Sequence, residues 1–483
     1  MVKRIIWEPS RSLKEFVLLP GYTGNDCTID KISLETRLAK NLVLDIPFLS
    51  AAMMSVTGHS LALELAQNGG LGVIPDGFQI KDQVSIIKRI KNFEAGFINN
   101  PLTAKPAESI ASVLEKINKF GYSTMFIVDD YRAFLGVFDE NNYDKTIDVR
   151  EPVEKAMIPF DKKNGKEISW YDSKLSLKEI KKSFEKNSCK FAVLLDGQGR
   201  LVNASFKKDF KELKVAASIN TYEGWAERAK ACVEAGADLI TIDTSDAFNY
   251  FALKVIKEFK ASYPEVPVCF GNIVTEEAFY KGVEAGADMV KVGMGIGSIC
   301  STTDIKALGR GQFSAGLEVC SARDNTFKEN GNYVPVILDG GISNARDMVI
   351  ALTLVDAIML GNYFNKFFEA AGQALNRDKK PTSTEEETAF KETWGEGSRK
   401  AQNYRRYGHR SVKTAFEEGV EGTVEYKGRL KPNLERDILK IKSALSNVGC
   451  KNLKEFREKA VLEVISPLSQ ADAGFHDLAS YKT

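Results

Sequence analysis

Short apolar runs alternate along most of this chain with segments whose apolar residues recur at helical spacing. The clearest instance is a repeat. VEAGADLITID (233–243) and VEAGADMVKVG (283–293) each read as a helix end, a small-residue turn and a short apolar strand, and ALTLVDAIMLG (351–361) is a looser copy. Between the first two lie YFALKVIKEFKASY (250–263), helical in period, and PVCFGNIV (267–274), a buried-strand run bounded by Pro and Gly. VPVILDGGI (334–342) followed by ARDMVIALTLV (345–355) adds another β/α unit, and an N-terminal unit runs through IPFLSAAM, SLALELAQNGG and LGVIP (46–75). Alternating buried strands and helices predict a parallel α/β architecture. The number of units at this length favours a closed (β/α)8 barrel of the TIM type.

Residues 93–213 break the rhythm. ESIASVLEKINKFGYSTMFIVDDYRAFLGVFDENNYD (108–144) and KLSLKEIKKSFEKNSCKFAVLLDGQGRLVNASFKKDF (174–210) match in order as helix, strand, acidic turn, strand and charged helix start. This predicts a duplicated α/β module inserted into a barrel made of residues 1–92 and 214–483. A further segment, about 379–431, is polar and glycine-bearing with few apolar runs. It reads as an irregular lid over the barrel mouth.

Composition narrows the function. With 66 Lys+Arg against 65 Asp+Glu, the chain lacks the basic field of a general nucleic-acid binder. No stretch approaches about 18 uninterrupted apolar residues, and the start lacks a signal-peptide core, so a soluble cytoplasmic protein is expected. The seven cysteines are scattered with no CxxC pair, which fits reduced thiols better than disulfides or a zinc site. Only three histidines occur, so proton transfer must be sought in other side chains.

In such barrels chemistry sits at the C-terminal ends of the strands. Those ends carry Ser50–Met53, Asp243, Gly271–Asn272, Gly293–Cys300, Asp339–Gly341 and Gly361–Asn362, a set rich in Gly, Asp and Asn with one Cys. Glycines let phosphate oxygens approach backbone N–H groups, and an acid suits ribose hydroxyls, so a nucleotide site is expected. The GxGxG spacing in GMGIGSIC is not a Rossmann fingerprint. Cys300 follows this glycine loop, where a sulfur is easily exposed, and is the candidate nucleophile.

GSICST after KVGMGI, then LDGGIS and IMLGN, together with SAAMMSVT, GGLGVI, GNIVT, EEGVEG and VEYKG, resemble the motifs of IMP dehydrogenases over nearly the whole chain. The duplicated insert resembles a pair of CBS domains, which often sense adenine or guanine nucleotides; a purely structural insert is the competing reading. The resemblance implies oxidation of IMP to XMP with NAD+, a homotetramer and a K+ requirement. It implies that Cys300 attacks the purine, that Arg406 and Tyr407 act from a mobile flap in the hydrolytic step, and that Thr302 and Glu418 form a second proton route. Substrate contacts fall on Met53, Ser298, Asp339, Gly340, Gly341, Gly361, Asn362, Gly395, Glu396, Gly397 and Glu418. The dinucleotide falls near Asp243, Ser245, Asn272 and Gly293. K+ falls on Gly295, Gly297 and Cys300, with Asp472, Ala473 and Gly474 supplied by a neighbouring subunit. Asn362 stands where Ser is frequent and Thr393 where Tyr is frequent, and ADAGFHD replaces a more glycine-rich terminal segment. The rival readings are a GMP reductase, which shares the barrel and cysteine loop but lacks the Arg–Tyr pair and usually the insert, and a non-catalytic nucleotide-binding regulator.

Overall fold

The structure, a computed structural model, describes residues 5–91, 97–99, 101–120, 124–140, 143–161, 167–175, 179–180, 183–184, 189–206, 213–403 and 417–472. The chain forms two compact units, Met1–Lys91 with Leu213–Thr483, and Asn92–Glu212.

The first unit is a closed barrel of parallel strands: β1 (Phe48–Ser50), β2 (Leu71–Ile74), β3 (Val215–Ile219), β4 (Leu239–Asp243), β5 (Val268–Ile273), β6 (Met289–Val292), β7 (Val336–Asp339) and β8 (Ala357–Leu360). It closes where β8 pairs with β1 and β2 with β3. Helices α1 (His59–Gln67), α2 (Ile80–Lys91), α3 (Trp225–Glu234), α4 (Tyr250–Ser262), α5 (Glu276–Glu284), α6 (Thr302–Lys306), α7 (Gln312–Asn330) and α8 (Ala345–Leu352) occupy the connections. Several start at a side-chain cap: Asn249, Thr275 and Asn344 accept from the N–H groups of Ala252, Ala278 and Asp347. Leu49, Leu71, Ala216, Leu239, Cys269, Met289, Ile337 and Ala357, near the strand starts, fill one end of the barrel together with Leu38, Leu42 and Leu44 from the hairpin Thr36–Ala39/Leu42–Leu44.

The aspartate of the sequence repeat has a structural reason. Asp238, Asp288 and Asp356 each precede a strand and accept the N–H of the first residue of the strand before it, Val215 (2.9 Å), Val268 (2.8 Å) and Val336 (2.9 Å). Each also pairs with a cation, Lys91, Lys260 and Arg323 respectively. The recurring carboxylate thus satisfies a backbone donor where a strand begins and holds it to a helix.

The polar segment expected to be irregular is partly regular. Phe390–Trp394 pairs antiparallel with Glu421–Glu425 and, on its other side, with Ala374–Leu375. Lys391 and Thr393 are the buried alternate positions of that strand, along with Trp394, so hydrophobic alternation could not reveal it. The second unit holds two four-stranded sheets, Thr103–Ala104, Thr124–Val128, Phe134–Asp139 and Ile158–Pro159 in one, and Phe97–Asn99, Ile168–Asp172, Phe191–Leu195 and Leu201–Phe206 in the other. Its two halves use the same turn: Asp129 accepts from the N–H groups of Tyr131 and Ala133, as Asp196 does from Gln198 and Arg200. Phe126, Phe134, Phe191 and Val193 belong to one core shared by both halves. Among the described residues no helix is long and apolar enough to cross a membrane.

Candidate active site

A cavity of about 440 Å3 opens at the C-terminal ends of the barrel strands. At its floor Lys291, on β6, has a side chain only 1% exposed and donates to Asp243 (3.0 Å), Asp339 (2.9 Å) and the Asn272 carbonyl oxygen. Asn272 in turn donates to Asp339 (3.0 Å) and to the Gly293 carbonyl (2.7 Å). Burial works against the Lys291 charge, but Asp243 and Asp339 outweigh it and hold the ammonium above its ordinary range. A fixed cation therefore lies beneath the floor, between two carboxylates that line the cavity.

The loop after β6 carries the thiol. Gly293 has φ 149°, and a Cβ there would run into the Asp339 carbonyl, so the strand can turn beside β7 only at a glycine. Cys300 N–H donates to the Gly297 carbonyl (3.0 Å), and Thr303 Oγ1 donates to the carbonyls of Gly295 (3.0 Å) and Leu308 (3.1 Å), fixing the loop ahead of α6. Gln312, at the start of α7, donates to the carbonyls of Asp339 (2.8 Å) and Gly340 (3.1 Å), joining this loop region to the end of β7.

Cys300 is exposed, whereas the other six cysteines are buried. Its Sγ lies 3.2 Å from Thr302 Oγ1, whose hydroxyl reaches Glu418 Oε2 at 3.5 Å. Glu418 Oε1 is held by Lys306. Glu418 N–H donates to the Gly397 carbonyl (3.0 Å), Val420 N–H to the Ile299 carbonyl (3.2 Å) and Gly395 N–H to the Val420 carbonyl (3.0 Å), so the base of the polar segment is stitched to the cysteine loop. Glu396 accepts from Met54 N–H at 2.6 Å.

Of the residues singled out from sequence, the cavity wall gathers Met53, Asp243, Ser245, Asn272 and Gly293, then Gly295, Gly297, Cys300 and Thr302, and finally Asp339, Gly340, Gly395, Glu396, Gly397 and Glu418. Ser298, Gly341, Gly361 and Asn362 are not part of that wall; Gly361 and Asn362 begin the short helix Asn362–Asn365 after β8. Arg406, Tyr407, Ala473 and Gly474 lie outside the described residues, and Asp472 ends the helix Pro467–Asp472. Lys306 and the Asn220–Tyr222 segment, both on the wall, and Lys291, buried beneath Asp243 and Asp339, were not singled out from sequence. Lys291 did leave a signal, a lone charge inside the apolar run MVKV of a predicted buried strand.

Residues 11–476 match the IMP dehydrogenase / GMP reductase domain. An inosine-5'-monophosphate dehydrogenase of Tritrichomonas foetus is 35% identical, covering 98% of this chain and 96% of its own length. One from Aquifex aeolicus is 32% identical, covering 96% and 94%. A solved GMP reductase from Trypanosoma brucei, in complex with guanosine 5'-monophosphate, superposes with a TM-score of 0.70 at 24% identity over 98% of both chains. That reductase therefore has a counterpart of residues 92–212, so possession of the insert does not separate reductase from dehydrogenase. With a glycine loop and its exposed thiol at the mouth of a closed barrel, and a match that runs over residues 11–476, the chain belongs to the IMP dehydrogenase/GMP reductase family of oxidoreductases.

Proposed function

We propose that this protein oxidises IMP to XMP with NAD+ through a covalent adduct on Cys300. The observation that carries the reading is the thiol: one exposed sulfur at the barrel mouth, backed by Thr302 and Glu418. Burial pushes Cys232, Cys269 and Cys320 up to about 12, so those thiols stay protonated at neutral pH. The relatives named above as inosine-5'-monophosphate dehydrogenases support the dehydrogenase over the reductase, as does the NYRRYG run holding Arg406 and Tyr407.

In this reading the Cys300 thiol gives up its proton to solvent as Sγ adds to C2 of the hypoxanthine ring, and the hydride at C2 leaves for the nicotinamide, giving a thioimidate and NADH. Met53 lies against the base, and Asp339 with Gly340 binds the ribose and phosphate side along with Ser298, Gly341, Gly361 and Asn362. Gly395, Glu396 and Gly397 close over the substrate. Asp243, Ser245, Asn272 and Gly293 take the nicotinamide ribose, the Lys291 ammonium holding Asp243 in place. After NADH departs, water attacks C2, Arg406 and Tyr407 receive one proton route and Thr302 with Glu418 the other, and the carbon–sulfur bond breaks to give XMP. K+ fits the carbonyls of Gly295, Gly297 and Cys300. Those of Gly295 and Gly297 each accept one hydrogen bond and keep a second lone pair, and Asp472, Ala473 and Gly474 of a neighbouring subunit in a homotetramer would complete the set. Bound there, the ion would rigidify the loop bearing the thiol. The duplicated insert, read as a CBS-like pair, stands apart from these steps.

The test is incubation with IMP and NAD+. NADH absorbance should appear, and intact-protein mass spectrometry should find a purine adduct that Cys300→Ala abolishes. The reductase reading, favoured by the Trypanosoma brucei likeness, requires instead NADPH consumption with GMP.

A further inference from the structure

We propose that Lys306 is a positioning residue for the hydrolytic half-reaction, holding the Glu418 carboxylate so that it faces Thr302; the proposal rests on the functional reading above. Helix α6 is a single turn, Thr302–Lys306, so its first and last residues are four apart and project from one face. They meet the same carboxylate from two sides: Thr302 Oγ1 reaches Oε2 at 3.5 Å, and Lys306 Nζ holds Oε1. The line Cys300 Sγ–Thr302 Oγ1–Glu418–Lys306 Nζ thus runs from the reacting sulfur to a cation on the cavity wall. The backbone of Glu418 is pinned by its N–H to the Gly397 carbonyl, but that bond leaves its side-chain torsions free. The ammonium is what selects the rotamer in which Oε2 points at the threonine hydroxyl.

The consequence is specific to one step. As water oxygen bonds to C2 of the Cys300 adduct, one water proton passes to Thr302 Oγ1 while the threonine's own proton moves to Glu418 Oε2. The C2–Sγ bond then breaks with its electron pair on sulfur, which takes up the proton held on Glu418. The second water proton ends on the ring nitrogen. The thiol proton has already gone to solvent and the hydride passes directly from C2 to the nicotinamide, so loss of Lys306 falls on hydrolysis.

The experiment compares the full chain with Lys306→Met, which keeps the length and removes the charge, and Lys306→Arg, which keeps the charge. NADH formation is followed in the first turnover and at steady state with IMP and NAD+. For Lys306→Met the first-turnover NADH burst should stay within about twofold of the parent, while steady-state kcat falls about tenfold, the scale of a perturbed proton-transfer step. The Cys300-linked adduct should build up in proportion, and the solvent deuterium isotope effect on kcat should rise. Lys306→Arg should recover kcat to within about threefold of the parent. A Lys306→Met protein whose kcat matches the parent overturns the proposal, and so does one in which only KM for NAD+ rises, since that marks a dinucleotide contact. Lys306→Gln repeats the measurement should the Met variant fail to fold. A parent that yields no NADH from IMP overturns the functional reading, and this proposal with it; a parent that turns over beside an unimpaired Lys306→Met overturns this proposal alone.

Discussion

Two buried lysines show how partners, not burial, decide a charge. Lys291 is gripped by Asp243 and Asp339 and is held above its ordinary range. Lys391, 3% exposed, donates to the carbonyls of Ala370 (2.9 Å) and Phe368 (3.2 Å), and burial pushes it down to about 8 despite the pull of Glu369. Its folded value lies below its unfolded one of 10.5, so between those pH values the unfolded chain binds more protons. The stability attached to Lys391 is then complete above 10.5 and is lost as pH falls through about 8. Relative to Lys391→Met, the wild-type chain should gain stability as pH rises across that window, by at most about 1.4 kcal/mol per pH unit. Urea midpoints of both proteins at successive pH values measure this; parallel lines would show that Lys391 does not titrate there. In the sequence Lys291 is a lone charge within an apolar strand, a signal that went unused, whereas Lys391 sits in FKETW, a polar run that gives no hint of a buried strand. Cys300 was visible because a glycine loop after a strand end is a chemical context, while Lys306, in the unremarkable STTDIK, was not.

At the scale of elements, the repeat made most of the barrel readable because its aspartates recur with the strands they serve. That same device predicts where the barrel is brittle. Asp356 is the most buried of the three repeat carboxylates, with a side chain 3% exposed. It meets Arg323 (3.0 Å, 5% exposed), Arg457 (3.2 Å), the Tyr333 hydroxyl (2.7 Å) and the Val336 N–H. Asp356→Ala leaves the Arg323 cation buried without that partner and should lower stability by about 3–5 kcal/mol. Asp288→Ala, whose side chain is 33% exposed beside Lys260, should cost clearly less. Chemical denaturation of the two variants settles the order, and equal losses would refute the account. Arg323 also explains why α7 was missed. Its buried face includes Gln312, Arg323 and Thr326 among the apolar residues, so polar side chains interrupt the helical period. The strand pair Phe390–Trp394/Glu421–Glu425 was missed for a related reason: the second strand is largely exposed and the first buries a lysine and a threonine.

At the scale of the whole molecule, each unit has its own core. The cluster inside the barrel draws only on residues outside 92–212, and the insert clusters draw only on residues within it. The barrel unit also closes the points where the insert leaves and returns. Lys91, the last residue of α2, donates to the Leu213 carbonyl (3.1 Å) just ahead of β3, and both its hydrogen bonds to Asp238 are 3.0 Å. The two ends of the gap are therefore held together by a side chain that the insert does not supply. A linker of about six Gly and Ser residues spans such a separation without strain. Replacing 92–212 with it should leave a folded barrel that forms NADH from IMP at a rate within a few-fold of the full chain, because every wall residue of the thiol cavity lies in the first unit. Circular dichroism and the first-turnover burst check this together. A truncated chain that folds yet gives no burst would mean that the insert is required for assembling the thiol cavity, and an unfolded one that the barrel core is not self-sufficient.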